Sequence, residues 1–405
     1  MNDVRGARAR VAAALAATVS ALAVMVPAAG DGAVAAPQPE VEPEPVPACG
    51  TEGPPPDHGP QAARRSGASV TVATYNVLGA LATSNESLDA RIPLLVDAIA
   101  GAGADIVGLQ EVEELGSRGF TTARVAAGLA GATGVAWHWC FFAANPAIPG
   151  EPDTLVGGGG PGSLAIQPLA GEPLGETVFR TGVGLVARYP IVESGAHRLG
   201  LRVPEEVAAC PDLGCQLQAQ FESRASMRGV VETPRGRLQV VSTHLAHTIT
   251  SESDLTRIVQ TDRMLEWING RPETGRYATI LTGDFNAVEG SAVHEAVLAD
   301  GFVDTFRRAS AGDPGFTSSQ DVTAATSTVR NRIDYVFARN SQCTSRPRPG
   351  GGPVVRVVSS EILGDAPSAT NDGFLWPSDH YGVATELRLL PATPGTCAGS
   401  EGEDR

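Results

Sequence analysis

The chain has 405 residues, 45 acidic against 30 basic, a formal charge of −15, and no lysine, since every basic residue is arginine. That excludes Schiff-base chemistry, a phosphate-loop lysine and a grip on nucleic acid or anionic lipid by bulk charge, so an anionic substrate must be held locally by a metal or a few arginines. With 42% hydrophobic and 19% charged residues the chain can bury a large core, while 47 glycines and 30 prolines require linker or long loop.

Residues 1–35 read as an export signal: Arg5, Arg8 and Arg10 make a positive start, Val11 to Val26 an apolar run, and Ala33-Val34-Ala35 a cleavage site. The apolar run falls short of the roughly 20 residues needed to span a bilayer, so a secreted, extracellular protein is expected. Residues 36–66 predict a disordered linker, because nine prolines alternate with acids and small residues between Ala36 and Pro60. One folded domain is expected over 67–390, then a flexible C-terminal tail over 391–405, where proline, glycine and acids return.

Within the domain Ser69 to Val77 is a β-rich run, Leu88 to Ala102 carries apolar residues at helical spacing, and Asp105 to Leu109 is a short apolar strand stopping at Gln110-Glu111. Ala144 to Glu176, with Gly157 to Gly160, reads as one long loop. Further strands are predicted at Gly182 to Ala187, Arg237 to His244, Thr279 to Thr282, Ile333 to Ala338 and Gly382 to Leu389. Helices are predicted at Asp254 to Asn269 and Ala292 to Asp300, the second with Ser291 as N-cap and Gly301 as its stop. Strands with only a few helices between them suggest two mixed sheets with helices outside.

Six cysteines behind an export signal predict three disulfides. Cys210 and Cys215 suit a small loop; Cys49, Cys140, Cys343 and Cys397 leave three pairings open.

The chemistry lies where strands stop. Asn76, Gln110-Glu111, Thr243-His244 and Gly283-Asp284-Phe285-Asn286 each follow an apolar run, Asp334 opens a strand, and Ser378-Asp379-His380 precedes the last one. Ends of adjacent strands converge at one rim, so these residues can meet although far apart in sequence. Each alone also suits a turn former or cap; their repetition does not.

Tyr75-Asn76, Leu109-Gln110-Glu111-Val112, Ser242-Thr243-His244-Leu245, Gly283-Asp284-Phe285-Asn286-Ala287, Arg332-Ile333-Asp334-Tyr335 and Ser378-Asp379-His380 occur in that order. The series resembles the endonuclease/exonuclease/phosphatase family, the deoxyribonuclease-like metal-dependent phosphoesterases. The resemblance implies an α/β fold, a four-layered sandwich of two packed mixed β-sheets flanked by helices, with residues 67–390 as the catalytic domain. It implies Glu111 as principal Mg²⁺ ligand, with Asn76 and Asp379 as further contributors; Mn²⁺ and Ca²⁺ are alternative ions. His380 resembles the general base and Asp334 its orienting carboxylate. His244 resembles the donor to a phosphate oxygen, and Asp284 and Asn286 the pair that orients the attacking water and contacts the phosphate. One departure is Arg180-Thr181-Gly182, where many relatives carry an asparagine.

The reading that follows is a secreted Mg²⁺-dependent phosphodiesterase, a monomeric nuclease acting on extracellular DNA. A sphingomyelinase-like phospholipase C is an alternative requiring membrane-facing aromatics, with Trp137 to Phe142 and Phe374-Leu375-Trp376 as candidates. The first of these reads more simply as a buried strand, and Trp376 as lining the substrate cleft. A phosphomonoesterase on sugar or inositol phosphates is a further alternative, without evident arginine clusters, and an inactive binding module is another.

Overall fold

The computed structural model describes residues 45–54, 69–79, 88–115, 119–144, 148–149, 178–212, 215–216, 223–250, 253–341, 352–371 and 373–391. The export segment, most of the expected linker and long loop, the tail beyond Pro391, and Cys343 and Cys397 lie outside them.

The strands are β1 (Ala48–Glu52), β2 (Ser69–Asn76), β3 (Ile106–Leu115), β4 (Trp137–Ala143), β5 (Ile148–Pro149), β6 (Val178–Ala187), β7 (Ile191–Gly200), β8 (Arg224–Thr233), β9 (Gly236–His244), β10 (Thr279–Asp284), β11 (Val303–Asp304), β12 (Asp334–Arg339), β13 (Val354–Leu363), β14 (Ser368–Thr370), β15 (Gly373–Leu375) and β16 (Gly382–Leu390). The helices are α1 (Leu88–Gly101), α2 (Thr121–Thr133), α3 (Pro204–Ala208), α4 (Ser253–Asn269), α5 (Ala292–Ala299) and α6 (Thr305–Ala309). One sheet runs β1-β4-β6-β3-β2-β16-β13, with β5 added beside β6; the second runs β11-β12-β10-β9-β8-β7. Both are mixed, with β2 parallel to β3 and β9 parallel to β10.

Strand alternation explains the layers, since each inward set of side chains packs on the other sheet. Val72, Ile106, Leu185 and Val383 of the first sheet share a core with Met227, Val240, Ile280 and Val336 of the second. The opposite face of the first sheet is covered by Leu95, Ile99, Val125 and Leu129 of α1 and α2. The opposite face of the second is covered by Met264, Ile268, Val293 and Val297 of α4 and α5. The four-layered sandwich implied by the sequence is therefore the observed fold.

Several features depart from the sequence expectations. Residues 48–52, placed in the linker, form the edge strand β1 on β4, fastened where Cys49 faces Cys140 in a disulfide and where Trp139 Nε1 donates to Glu52 Oε1 at 3.1 Å. Short-range composition around prolines cannot announce a strand whose partner lies 91 residues on. The apolar strand read as stopping at Gln110-Glu111 continues to Leu115 through a register shift between Gln110 and Val112. Helix α2 was not anticipated; its Gly128 lies where a Cβ would be 2.6 Å from Val96 Cγ2, so a residue that weakens helix propensity permits close packing on α1. The Cys210–Cys215 disulfide forms as expected.

Among the described residues no helix is long and apolar enough to cross a membrane. Trp376, expected in a cleft wall, is 1% exposed, stacks on Tyr381 and donates from Nε1 to Ala324 O at 2.7 Å. It belongs to a small satellite core with Leu78 and Val322.

Candidate active site

The parallel pairs bring two strand ends to one rim: Asn76 lies opposite Gln110, and Asp284 opposite His244. On the other side of β10, Asp334 faces Asp284 at the start of antiparallel β12. His380 precedes β16, which runs antiparallel to β2. Asp284 is thus flanked in register by a histidine and an aspartate, a juxtaposition set by strand pairing alone.

The two sheet ends use the same local device. Asn76 Oδ1 accepts from Leu78 N at 3.1 Å and Asp284 Oδ1 from Asn286 N at 2.8 Å, and both i+2 residues sit at positive φ, 52° and 49°. Such side-chain-closed turns stop a strand and hold the side chain at the rim. Asn76 and Asp284 are therefore turn formers and site residues at once. Glu111, at φ 55°, is the extra residue of the β3 bulge, which re-aims its carboxylate from the sheet face toward the rim.

Asn76 Nδ2 donates to Glu111 Oε1 within its own sheet and to Asp284 Oδ2 across to the other, both at 3.0 Å. Asn76, expected beside the metal, gives its oxygen to a backbone N–H and its amide to two carboxylates, which places it against Glu111. Gly79 N donates to Glu111 Oε2 at 3.3 Å. Asn286 Nδ2 lies 3.2 Å from His244 Nε2, which is 3.4 Å from Asp284 Oδ2. His380 Nδ1 donates to Asp334 Oδ2 at 2.9 Å, leaving Nε2 3.9 Å from Asp284 Oδ2. Asp379 joins through its place beside His380, with Ser378 Oγ donating to it at 3.3 Å. Every residue expected at the site thus comes to this rim.

Burial would disfavour a charged imidazole at His380, but the carboxylates of Asp334, Asp379 and Asp284 outweigh it and hold its pKa well above the ordinary histidine value. Burial, followed by the neighbouring charge of Asp334, pushes Asp284 up to about 7. Asp379 is raised by burial and by Glu111, with His380 acting the other way. An excess of negative charge has been assembled out of water, and it favours protons or a cation.

The donor set fits a hard divalent ion. Glu111 and Asp379 are half-buried oxygen donors, and a cation between them would relieve the repulsion raising Asp379. Asp284, Asp334 and His380 offer a second group of ligand atoms within 4.8 Å of one another, and Asp334 Oδ1 is buried with no hydrogen-bond partner among the described residues.

Three contributors escape sequence reasoning. Arg224, at the start of β8, places Nη1 2.9 Å from His244 Nδ1 and 3.1 Å from Nε2. Arg91, 1% exposed, donates to the carbonyls of Val77, Leu78 and Pro377, bracing the turn after Asn76 against the segment before Ser378. Its signal was present: an arginine among Leu88, Ile92, Leu95, Val96 and Ile99 on the buried face of α1 must have a buried acceptor. Thr317 accepts from two backbone N–H groups of the Asp334 segment and carries no such signal. Arg180, at the family departure, pairs with Glu114 at 3.2 Å.

Comparison with solved structures gives the same fold. The chain is similar to an endonuclease/exonuclease/phosphatase from Beutenbergia cavernae DSM 12333, at 22% identity and a TM-score of 0.50, covering 80% of this chain and 72% of that one. A family protein from Leptotrichia buccalis C-1013-b matches at 17% identity and TM-score 0.50, covering 79% and 100%. The human Nocturnin catalytic domain with bound sulfate anion matches at 16% and 0.50, covering 80% and 95%. No curated protein sequence matches the chain. The profile of the Endonuclease/Exonuclease/phosphatase family matches residues 73–380, from the strand that ends at Asn76 to His380 itself. The chain belongs to that family, hydrolases of phosphoester bonds whose members generally depend on a divalent metal.

Proposed function

We propose that the protein is a secreted, Mg²⁺-dependent phosphodiesterase that cleaves extracellular DNA. The observation that carries the hydrolytic reading is the His380–Asp334 hydrogen bond, 2.9 Å long, beside Asp284. Asp334 holds Nδ1 protonated; a cation offsetting the carboxylates that favour the imidazolium would leave Nε2 neutral, with its lone pair free to take a proton from water as the water oxygen bonds to phosphorus. The phosphorus–oxygen bond to the leaving group breaks on the opposite side, the departing oxygen keeping the bonding pair and taking a proton from water. Asn286 and His244 meet the developing charge on a non-bridging oxygen, with the Arg224 guanidinium against the His244 ring. A divalent ion held by Glu111 and Asp379 supplies further charge stabilisation when bound.

Support for a nucleic-acid substrate over a membrane lipid comes from the aromatics. Trp137, Trp139, Phe141 and Phe142 of β4, like Trp376, are buried. Phe316, 42% exposed, adjoins Thr317, whose carbonyl accepts from Tyr381 N, and suits stacking on a base; Phe374, 40% exposed, stands on a separate strand, so the two form no continuous apolar face for a bilayer. The export signal and the Cys49–Cys140 and Cys210–Cys215 disulfides support an extracellular site of action.

The test is hydrolysis by the purified mature protein of duplex DNA, RNA, sphingomyelin vesicles and p-nitrophenyl phosphate esters, each with Mg²⁺ or EDTA. Cleavage of DNA that EDTA abolishes is expected. Turnover of sphingomyelin or a phosphomonoester with none on DNA would overturn the substrate assignment.

A further inference from the structure

The His380–Asp334 bond joins the two sheets, because Asp334 opens β12 in one and His380 precedes β16 in the other. Neither strand pairs with the other, so something else must set the separation of the two residues. β11 reaches only Ala338 and Phe337 of β12, leaving the Asp334 end of that edge without a neighbouring strand among the described residues. The segment Thr317 to Gln320 fills this place.

Thr317 is fully buried. Its N–H donates to Asn331 O at 2.7 Å, and its Oγ1 accepts from the N–H groups of Ile333 and Asp334, both at 3.2 Å. In the other direction Thr317 O accepts from Tyr381 N at 2.6 Å, and Gln320 N donates to Asp379 O at 2.9 Å. Ser318 forms antiparallel bridges to both Asn331 and His380. Between these contacts Ser319 takes a φ of 76°, so the segment bends where it passes from one sheet to the other. One strap is thus bonded to the residues on either side of His380 and to the backbone that carries Asp334. Serine and threonine are the side chains with a short hydroxyl able to take two N–H groups at this distance from the main chain.

We propose that Thr317 is a positioning residue for hydrolysis, its hydroxyl fixing the Asp334 backbone while its carbonyl fixes the strand start at His380. The proposal rests on the reading of His380 as base and Asp334 as its orienter. It touches no substrate; it acts by holding two groups on separate sheets in one geometry, where about 1 Å of misplacement costs roughly 100-fold in rate.

The test compares wild-type protein with Thr317→Val, Thr317→Ser, His380→Ala and the Thr317→Val/His380→Ala double variant. The readouts are kcat and KM on duplex DNA, or on whichever ester of the panel is hydrolysed, and the thermal midpoint. Thr317→Val should lose about 10- to 100-fold in kcat with KM within about twofold, while Thr317→Ser, which keeps the oxygen, stays within about threefold of wild type. In the His380→Ala background the valine should cost less than about twofold more, since there is no longer a base to position. If Thr317→Val does not fold, Thr317→Ala, where a water can satisfy the two N–H groups without being fixed to the strap, is read the same way, with a loss of kcat of about 10-fold expected. Equal losses in both backgrounds, a serine variant as slow as valine, or wild-type kcat without the hydroxyl would overturn the strap alone. Full activity of His380→Ala would overturn the base assignment and the strap's role with it.

Discussion

An alanine at position 108 would put a methyl group 2.0 Å from Thr282 Oγ1 and 3.3 Å from Ser242 Cβ, because β3 there lies tightly against β9 and β10 of the other sheet. Ordinary van der Waals contact begins at 3.4 Å, so about 1.4 Å (3.4 − 2.0) of separation must be found. The Thr282 side chain cannot turn away freely: it is buried, and its hydroxyl donates to Val241 O at 2.8 Å. Giving up that bond costs about 1 kcal/mol, and overpacking a filled core about 1–3 kcal/mol. Moving β10 instead displaces Asp284, two residues along. Gly108→Ala should therefore lower the thermal midpoint by a few degrees and kcat by at least about 10-fold, measured by calorimetry and by DNA hydrolysis in saturating Mg²⁺. Thr282→Ala removes the clashing oxygen, so alanine at 108 should cost less in that background than in wild type. A Gly108→Ala protein with unchanged midpoint and turnover, or strictly additive losses in the double variant, would refute the reasoning that a methyl at 108 is felt through Thr282.

Glu111→Gln should lower turnover by at least about 100-fold, with residual activity showing weakened response to added Mg²⁺, because the charge aimed by the bulge is lost; undiminished turnover in saturating metal would contradict the ligand assignment. His380→Ala should lose about 10²–10⁴ in rate and Asp334→Asn somewhat less, compared in single-turnover assays. Away from the rim, Asp304 is buried, which would raise its pKa, but hydrogen bonds from His294 and Arg332 hold it down at about 2. A depressed carboxylate contributes stability that is fully present above its unfolded value and is lost as pH falls through the folded one; here that is on the order of 2 kcal/mol, lost between about pH 4 and 2. Asp304→Asn should flatten acid unfolding in that window, and an unaltered curve would remove Asp304 as the cause. Non-reducing peptide mapping of protein recovered from the medium should find Cys49 joined to Cys140 and Cys210 to Cys215, and free thiols at these positions would count against export.

Many of the residue types at the site were legible in the sequence, because they stand where an apolar run begins or ends, and a strand must start or stop where its backbone turns to solvent. Asn76, His244, Asp284 and Asp334 announce themselves by that local rule, and the strands and helices carrying them follow from side-chain period and capping, as with Ser291 at the start of α5. Pairing decided the rest. That Asp284 stands in register with both His244 and Asp334 depends on which strands became neighbours, and strands far apart in sequence carry no mark of that choice. The bulge that turns Glu111 inward, the β1 edge strand tied to Cys140 and the contact of Gly108 with Thr282 appear only when β3, β4 and β10 have their partners. Thr317 is the extreme case: its surroundings in sequence, Phe316-Thr317-Ser318-Ser319, read as an ordinary loop, and its hydroxyl gains a purpose only because β11 ends early and leaves two N–H groups beside Asp334 to be met. Local composition determines what a residue is able to do, while long-range backbone pairing, in which every buried N–H must find an acceptor, decides what it meets.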